Sequence, residues 1–281
     1  MWTNRGASKQ NRNAMTDLRL CRSLLFLPAS NPRAIDKARG LDVDMIFLDL
    51  EDAVKPADKA SARTAAVAAA AEGFGGRPVA IRVNKIGDAW HEADVAAVGA
   101  SAADFLILPK VQWTREVEEV ARASGKPVLA MVETARGVIE APGIAAASAG
   151  LIAGTNDLGS DLGIPSGSGR RGFAFSLQAI VIAARAAGVA AFDGVFNGLE
   201  DEEGLMEECR EGRAFGFDGK TLIHPGQIEA CNRIFGPSAE DVAAARRLIA
   251  AATGGAERHE GRMIEAMHVE DARWTLARAR A

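Results

Sequence analysis

Glu133 and Asp157 are the residues from which a chemistry can be built. Glu133 follows the apolar run 128–132, and Asp157 lies just past the apolar run 150–154, with a helix-forming stretch between them. The order reads strand, helix, strand. In a parallel β/α protein, consecutive strands point the same way and usually lie side by side. Their carboxyl ends open onto one face, where such folds place their chemistry. Two carboxylates on that face repel each other, and a shared hard cation such as Mg²⁺ explains the pair best. The rival readings are an ion pair of Glu133 with Arg136 and a helix cap by Asp157 ahead of Leu158.

Other charged residues fall at comparable points. Arg82 sits inside the apolar strand Ile81-Arg82-Val83. Arginine is rarely buried without a partner, so it makes a structural salt bridge, or its guanidinium fork enters the site to bind a carboxylate or a developing oxyanion. Asp49-Leu50-Glu51-Asp52 puts three acids at the end of another strand. Strand alternation places Asp49 and Glu51 on one face, so part of the set orients Arg82 or the ion's water from behind. The rival for Asp49 is pairing with Lys55, Lys59 or Arg63. Lys85 and Lys110, also near strand ends, could form a Schiff base with a carbonyl substrate. His224 precedes Pro225 at a strand end and reads as structural. His91, His224, His259 and His268 lack ligand spacing, which argues against zinc. The loop 164–172 is Gly-rich but lacks the Gly-Lys-Ser/Thr ending of a P-loop. It reads as a solvated loop in preference to a phosphate lid closing with Arg170 and Arg171.

These residues need a frame. Apolar runs near 22–28, 45–51, 79–84, 105–110, 128–132, 150–154, 191–195 and 219–225 alternate with helix-forming stretches. The count and spacing fit an α/β fold of the (β/α)₈ TIM-barrel type, with a C-terminal helical extension. An open doubly wound sheet is disfavoured, because the first crossover, Pro28 to Arg33, holds no glycine. The expected organisation is a disordered tail at 1–20, a catalytic barrel at 21–236 and a helical lid or oligomerisation segment at 237–281.

Composition narrows the function classes. The 281 residues are 48% hydrophobic and 25% charged with a net charge of −4, a balance suited to a globular enzyme and not to bulk nucleic-acid binding. Tyr is absent and aromatics are 5%, which disfavours base-stacking platforms. Three scattered cysteines fit a reducing cytoplasm. No apolar run reaches the length of a membrane span, and residues 1–13 lack the apolar core of a secretory signal.

Taken in order, Arg22-Ser-Leu-Leu-Phe-Leu-Pro, Phe47-Leu-Asp-Leu-Glu-Asp-Ala-Val, Lys59 and Arg63, Ile81-Arg-Val-Asn, Leu108-Pro-Lys, Val132-Glu-Thr-Ala-Arg-Gly, Asp157-Leu-Gly-Ser-Asp-Leu-Gly and Ile223-His-Pro-Gly-Gln resemble the citrate lyase beta-subunit-like family. This is the acyl-CoA lyase branch of the HpcH/HpaI aldolase superfamily. The resemblance implies a TIM barrel, Mg²⁺ at Glu133 and Asp157, and a substrate-binding Arg82. It also implies a homotrimer or homohexamer whose C-terminal helices cover a neighbour's site. Such enzymes cleave or form a carbon–carbon bond between a CoA thioester enolate and a 2-oxo acid, usually from malyl-, citramalyl- or citryl-thioesters. Where malyl- and citramalyl-CoA enzymes carry a tail Met-Ile-Asp with a catalytic Asp, this chain has Met263-Ile264-Glu265. The longer acid is compatible with lyase chemistry and counts against Asp-dependent thioester hydrolysis.

The expected activity is therefore a Mg²⁺-dependent lyase. Glu133 and Asp157 hold the metal, Arg82 binds substrate and stabilises charge, Glu51, Asp52 and Glu133 line the substrate site, and Glu265 is the acid/base. The alternatives are a Schiff-base aldolase using Lys85 or Lys110, and a citrate-lyase-like subunit inactive without an acyl-carrier partner.

Overall fold

The computed structural model describes residues 17–165 and 167–279. Strands β1 (Ser23–Pro28), β2 (Met45–Asp49), β3 (Val79–Arg82), β4 (Phe105–Leu108), β5 (Val128–Val132), β6 (Gly150–Ala153), β7 (Ala190–Asp193) and β8 (Gly219–Leu222) form a closed parallel barrel in sequence order. Around it run α1 (Pro32–Ala38), α2 (Lys59–Glu72), α3 (His91–Gly99), α4 (Thr114–Ser124), α5 (Ala135–Ile139), α6 (Ala141–Ala147), α7 (Thr155–Asp161), α8 (Ala174–Ala187), α9 (Glu202–Phe215) and α10 (Ile228–Phe235). The expected (β/α)₈ architecture is present.

The apolar runs are continuous because both faces of each strand are buried. Leu24, Phe26, Phe47, Ile107, Met131 and Phe192 belong to one apolar cluster, which fills the barrel. Their sequence neighbours Leu25, Leu27, Leu48, Leu106, Ala130 and Ala191 belong to a second, under the helices. Local signals set the helix starts. Asn31 caps α1 by accepting from the Ala34 N–H, with Pro32 in its first turn. Thr134 caps α5 by accepting from the Gly137 N–H.

The C-terminal segment holds α11 (Ala239–Ala251), an antiparallel hairpin of β9 (Glu257–His259) and β10 (Arg262–Ile264), and α12 (Ala266–Arg278). The hairpin and α10 have no counterpart in the sequence reading. The guanidinium of Arg278 donates to the carbonyls of Arg19, Asp218 and Phe235, and Arg19 stacks on Trp274 at 4.5 Å. Arg19 and Asp218 precede β1 and β8, so α12 docks at the amino-terminal ends of the strands. Part of the expected tail is therefore folded: Leu18–Leu20 form a 3₁₀ turn with Leu18 buried. Residues 1–16 lie outside the described residues. Among those described, no helix is long and apolar enough to cross a membrane, and all three cysteines are free and buried.

Candidate active site

Strand register assembles the site at the carboxyl ends. It sets Asp49 beside Arg82 and Val132 beside Ala153. Glu133 and Gly154 follow directly. Alternation does the rest: Asp49, Arg82 and Glu133 continue the inward rows of Phe47, Ala80 and Met131. Together with Phe26, Asp52, Thr155 and Asp157 they line a cavity of about 330 Å³.

Arg82 is fixed. Its Nε and Nη2 donate to the two oxygens of Asp49, both at 2.7 Å. Its Nη1 lies 3.1 Å from Glu51 Oε2, and the guanidinium covers the Phe26 ring at 4.8 Å. Burial opposes charge on both partners. The Arg82 charge and hydrogen bonds, joined by the N–H groups of Glu51 and Ala53, nevertheless hold the Asp49 carboxyl below its usual range. The salt-bridge reading of Arg82 therefore holds: Asp49 takes one edge of the guanidinium and Glu51 faces Nη1, while the residue also lines the cavity. Asp49 does not pair with Lys55, Lys59 or Arg63. Lys59 is buried, and its Nζ donates to the carbonyls of Leu50 and Glu51, both at 2.7 Å, and to Asn84 Oδ1 at 2.6 Å. It anchors the acidic turn from below. Arg63 pairs with Asp94 at 2.6 Å.

Glu133 is 2% exposed. Burial pushes its carboxyl up to about 8, helped by Glu51 and Asp157, while Arg82 and the Lys110 N–H pull the other way. Glu51 is raised as well, mainly by burial. Its Oε2 is buried without a hydrogen bond. The Lys110 backbone N–H donates to Glu133 Oε1 at 2.7 Å. Across from it, a Cβ on Gly154 would clash with both the Cβ and the Oε2 of Glu133, so glycine is required for room. The expected rival partner, Arg136, ion-pairs with Glu140 at 3.5 Å and leaves Glu133 to the cavity. Asp157 sits within the first turn of α7 and its side chain is 39% exposed; the cap position belongs to Gly154.

These features fit a cation. A buried carboxyl raised to about 8, facing a cradle that only glycine leaves open, is what a bound cation would offset. Among the described residues, no three His, Cys, Asp or Glu side chains could enclose a metal by themselves. A two-carboxylate site suits Mg²⁺, which usually keeps several waters and binds through one or two carboxylates plus substrate oxygens.

The remaining candidates lie elsewhere. Glu265 is exposed at the start of α12, where its N–H donates to His268 Nδ1 at 3.0 Å. It does not line the cavity of its own barrel. Lys85 is half exposed beside Asp88 and is also absent from the lining. The Lys110 ammonium lies among carboxylates. Burial works against its charge, but Glu51, Asp52, Asp157 and Glu133 outweigh it and raise its pKa, the wrong direction for a Schiff-base amine. Arg170 is neither solvated nor free for a phosphate. It forks onto the buried Asp193 at 2.9 and 2.8 Å, with Lys220 Nζ on the same carboxylate at 3.1 Å. This pins the Gly-rich loop, which walls an adjoining groove of about 600 Å³ that shares Thr155, Asn156 and Val195 with the site. His224 caps the turn before α10 by accepting from the Gly226 N–H, a structural role. Gly154, Lys59 and the Lys110 backbone are site components the sequence reading did not identify as such.

Comparison with known proteins agrees with this geometry. Residues 22–225 match the HpcH/HpaI aldolase/citrate lyase family, and residues 172–281 match a C–C bond lyase family of the TIM-barrel fold. The chain belongs to the HpcH/HpaI aldolase/citrate lyase family, a family of enzymes. It is 42% identical to a (3S)-malyl-CoA thioesterase of Cereibacter sphaeroides, over 92% of this chain and 95% of that one. It is 34% identical to the citrate lyase subunit beta of Leuconostoc mesenteroides subsp. cremoris, over 84% of each. The crystal structure of Mycobacterium tuberculosis CitE in complex with magnesium, acetoacetate and coenzyme A superposes with a TM-score of 0.80. That pair shares 36% identity, covering 94% of this chain and 100% of that one.

Proposed function

We propose that the protein is a Mg²⁺-dependent carbon–carbon lyase. It splits a 3-hydroxyacyl-CoA thioester of the malyl, citramalyl or citryl type into a CoA thioester and a 2-oxo acid. The observation that carries this reading is the pairing of Glu133, buried against Gly154, with Asp157 on the next element, at one cavity with Arg82. Glu133 and Asp157 would hold the ion. When bound, Mg²⁺ supplies Lewis acidity toward the oxygens of the 2-hydroxy acid end.

The chain's own residues do the remaining work. Arg82, locked by Asp49, offers a fixed cation to the substrate carboxylate or to the enolate charge, at no reorganisation cost. Asp52 lines the same cavity, and Glu51 backs it through its contacts with Arg82 and Lys110. A base takes the hydroxyl proton, and the bond between the hydroxyl-bearing carbon and the carbon next to the thioester breaks. Its electron pair becomes the thioester enolate, and the proton ends on that carbon. Glu265 is our choice for this acid/base. Because it lies outside the cavity of its own barrel, it would serve a neighbouring subunit's site, in a homotrimer or homohexamer. The adjoining groove offers room for a long thioester arm.

A second reading is hydrolysis of the same thioester, favoured by the 42% identity to malyl-CoA thioesterases. One experiment separates the two. EDTA-stripped protein is given malyl-CoA and citramalyl-CoA, with and without Mg²⁺, and the products are identified. Glyoxylate or pyruvate with acetyl-CoA supports the lyase; the free hydroxy acid with CoA supports the hydrolase. Cleavage that persists without any divalent ion excludes the metal mechanism. No turnover of free CoA thioesters, with recovery on an acyl-carrier thioester, points to a carrier-dependent subunit.

A further inference from the structure

We propose that the side chain of Lys110 is a displaceable counter-ion of the carboxylates beside the metal site: its ammonium competes with the ion for Asp157 and gives way when the ion binds. The proposal rests on the reading of Glu133 and Asp157 as Mg²⁺ ligands.

Lys110 touches the site through both of its ends. Its backbone adopts φ +54°, in the left-handed region that non-glycine residues seldom enter. That turn aims its N–H at Glu133 Oε1, at 2.7 Å. Its Nζ then reaches acids from two other elements: Glu51 Oε1 at 3.3 Å, Asp157 Oδ1 at 3.7 Å and Asp52 Oδ2 at 3.8 Å. Only the contact to Glu51 is short enough for a hydrogen bond. The ammonium is thus shared among three carboxylates without being locked to any of them.

A counter-ion held this way is displaceable. Mg²⁺ binds oxygens at about 2.0–2.1 Å with twice the charge, so it outcompetes contacts of 3.3–3.8 Å. Arg82 cannot play this part, because its fork is bound to Asp49. Lys110 can leave, since its side chain is 27% exposed. Its backbone hydrogen bond stays with Glu133 whichever way the side chain points. The arrangement lets the acids tolerate one another before the ion binds, and it weakens the ion's apparent affinity by the cost of expelling the ammonium.

The test uses full-length protein stripped with EDTA, with Mn²⁺ as the probe and free Mn²⁺ read by electron paramagnetic resonance. Lys110→Met removes the ammonium and keeps the N–H. Lys110→Asn does the same with a residue that tolerates the left-handed backbone, should the first variant fold poorly. Both variants are expected to bind Mn²⁺ about tenfold more tightly than the parent, while melting at a lower temperature without the ion. Unchanged or weaker Mn²⁺ binding overturns the proposal. Glu133→Gln and Asp157→Asn are measured in parallel. If they abolish binding while the Lys110 variants bind no more tightly than the parent, the Lys110 proposal alone falls. If they leave binding intact, the ion is not at this site and both readings fall.

Discussion

Asp49 and Arg82 stand opposite each other on adjacent strands and share two hydrogen bonds of 2.7 Å. The pair is buried, so removing one charge strands the other. Asp49→Asn is expected to cost about 3–5 kcal/mol of stability, read by urea denaturation. Where the variant stays folded, turnover should drop more than Mg²⁺ affinity, because Arg82 loses its orientation while Glu133 and Asp157 are untouched. Equal losses in both would indicate general disruption.

Gly154 is required by space, not by backbone conformation, since its φ is −101°. The added methyl of Gly154→Ala would press on Glu133, which is buried and cannot swing away. We expect a stability loss of about 1–3 kcal/mol and Mg²⁺ affinity reduced roughly 10–100-fold. Calorimetric titration checks this, and unaltered affinity would show that Glu133 is not a ligand.

The raised Glu133 carboxyl gives a signed pH dependence. Its folded, ion-free value of about 8 lies above the ordinary 4.5. Between those values the folded state binds the proton and the unfolded state does not. Stability from this group is therefore greatest below pH 4.5 and declines as pH rises toward 8. The ion needs the carboxylate, so Mg²⁺ binding releases a proton and strengthens over the same window. The gap in melting temperature with and without Mg²⁺ should widen from pH 4.5 to about 8 and then level off. Glu133→Gln should remove the widening, and a gap independent of pH in the parent would refute this account.

Glu265 is predicted to act in a neighbour's site, and complementation tests it. Glu265→Ala and Glu133→Gln should each abolish turnover, and Glu265→Ala should still bind Mg²⁺. Co-refolded mixtures contain sites with an intact barrel from one variant and an intact tail from the other, and should regain part of the activity. If mixtures stay inactive although mixed oligomers form, the tail does not serve across subunits.

The barrel was legible because its rules are local. Strands buried on both faces read as unbroken apolar runs, and the repeat length left little choice of closure. Alternation alone put Asp49 and Glu51 on one strand face. What escaped the sequence depends on distance. The sequence leaves Asp49 between Arg82 and the Lys55, Lys59 and Arg63 that follow it; only strand register decides for Arg82, 33 residues on. Lys110 looked like a candidate amine because its left-handed backbone and acidic surroundings leave no mark on a linear chain. Arg170 looked solvated for the same reason, as its carboxylate partner lies 23 residues away. The hairpin at 257–264 is too short to show a period, and its flanking glycines suggested only a linker.

The central claim is that Glu133 and Asp157 jointly hold one Mg²⁺. Its most direct test is calorimetric titration of Mg²⁺ into EDTA-stripped parent, Glu133→Gln and Asp157→Asn proteins, each confirmed folded by circular dichroism. The account predicts saturable binding in the parent and at least a hundredfold loss in both variants. Binding of parental strength in either variant would contradict it.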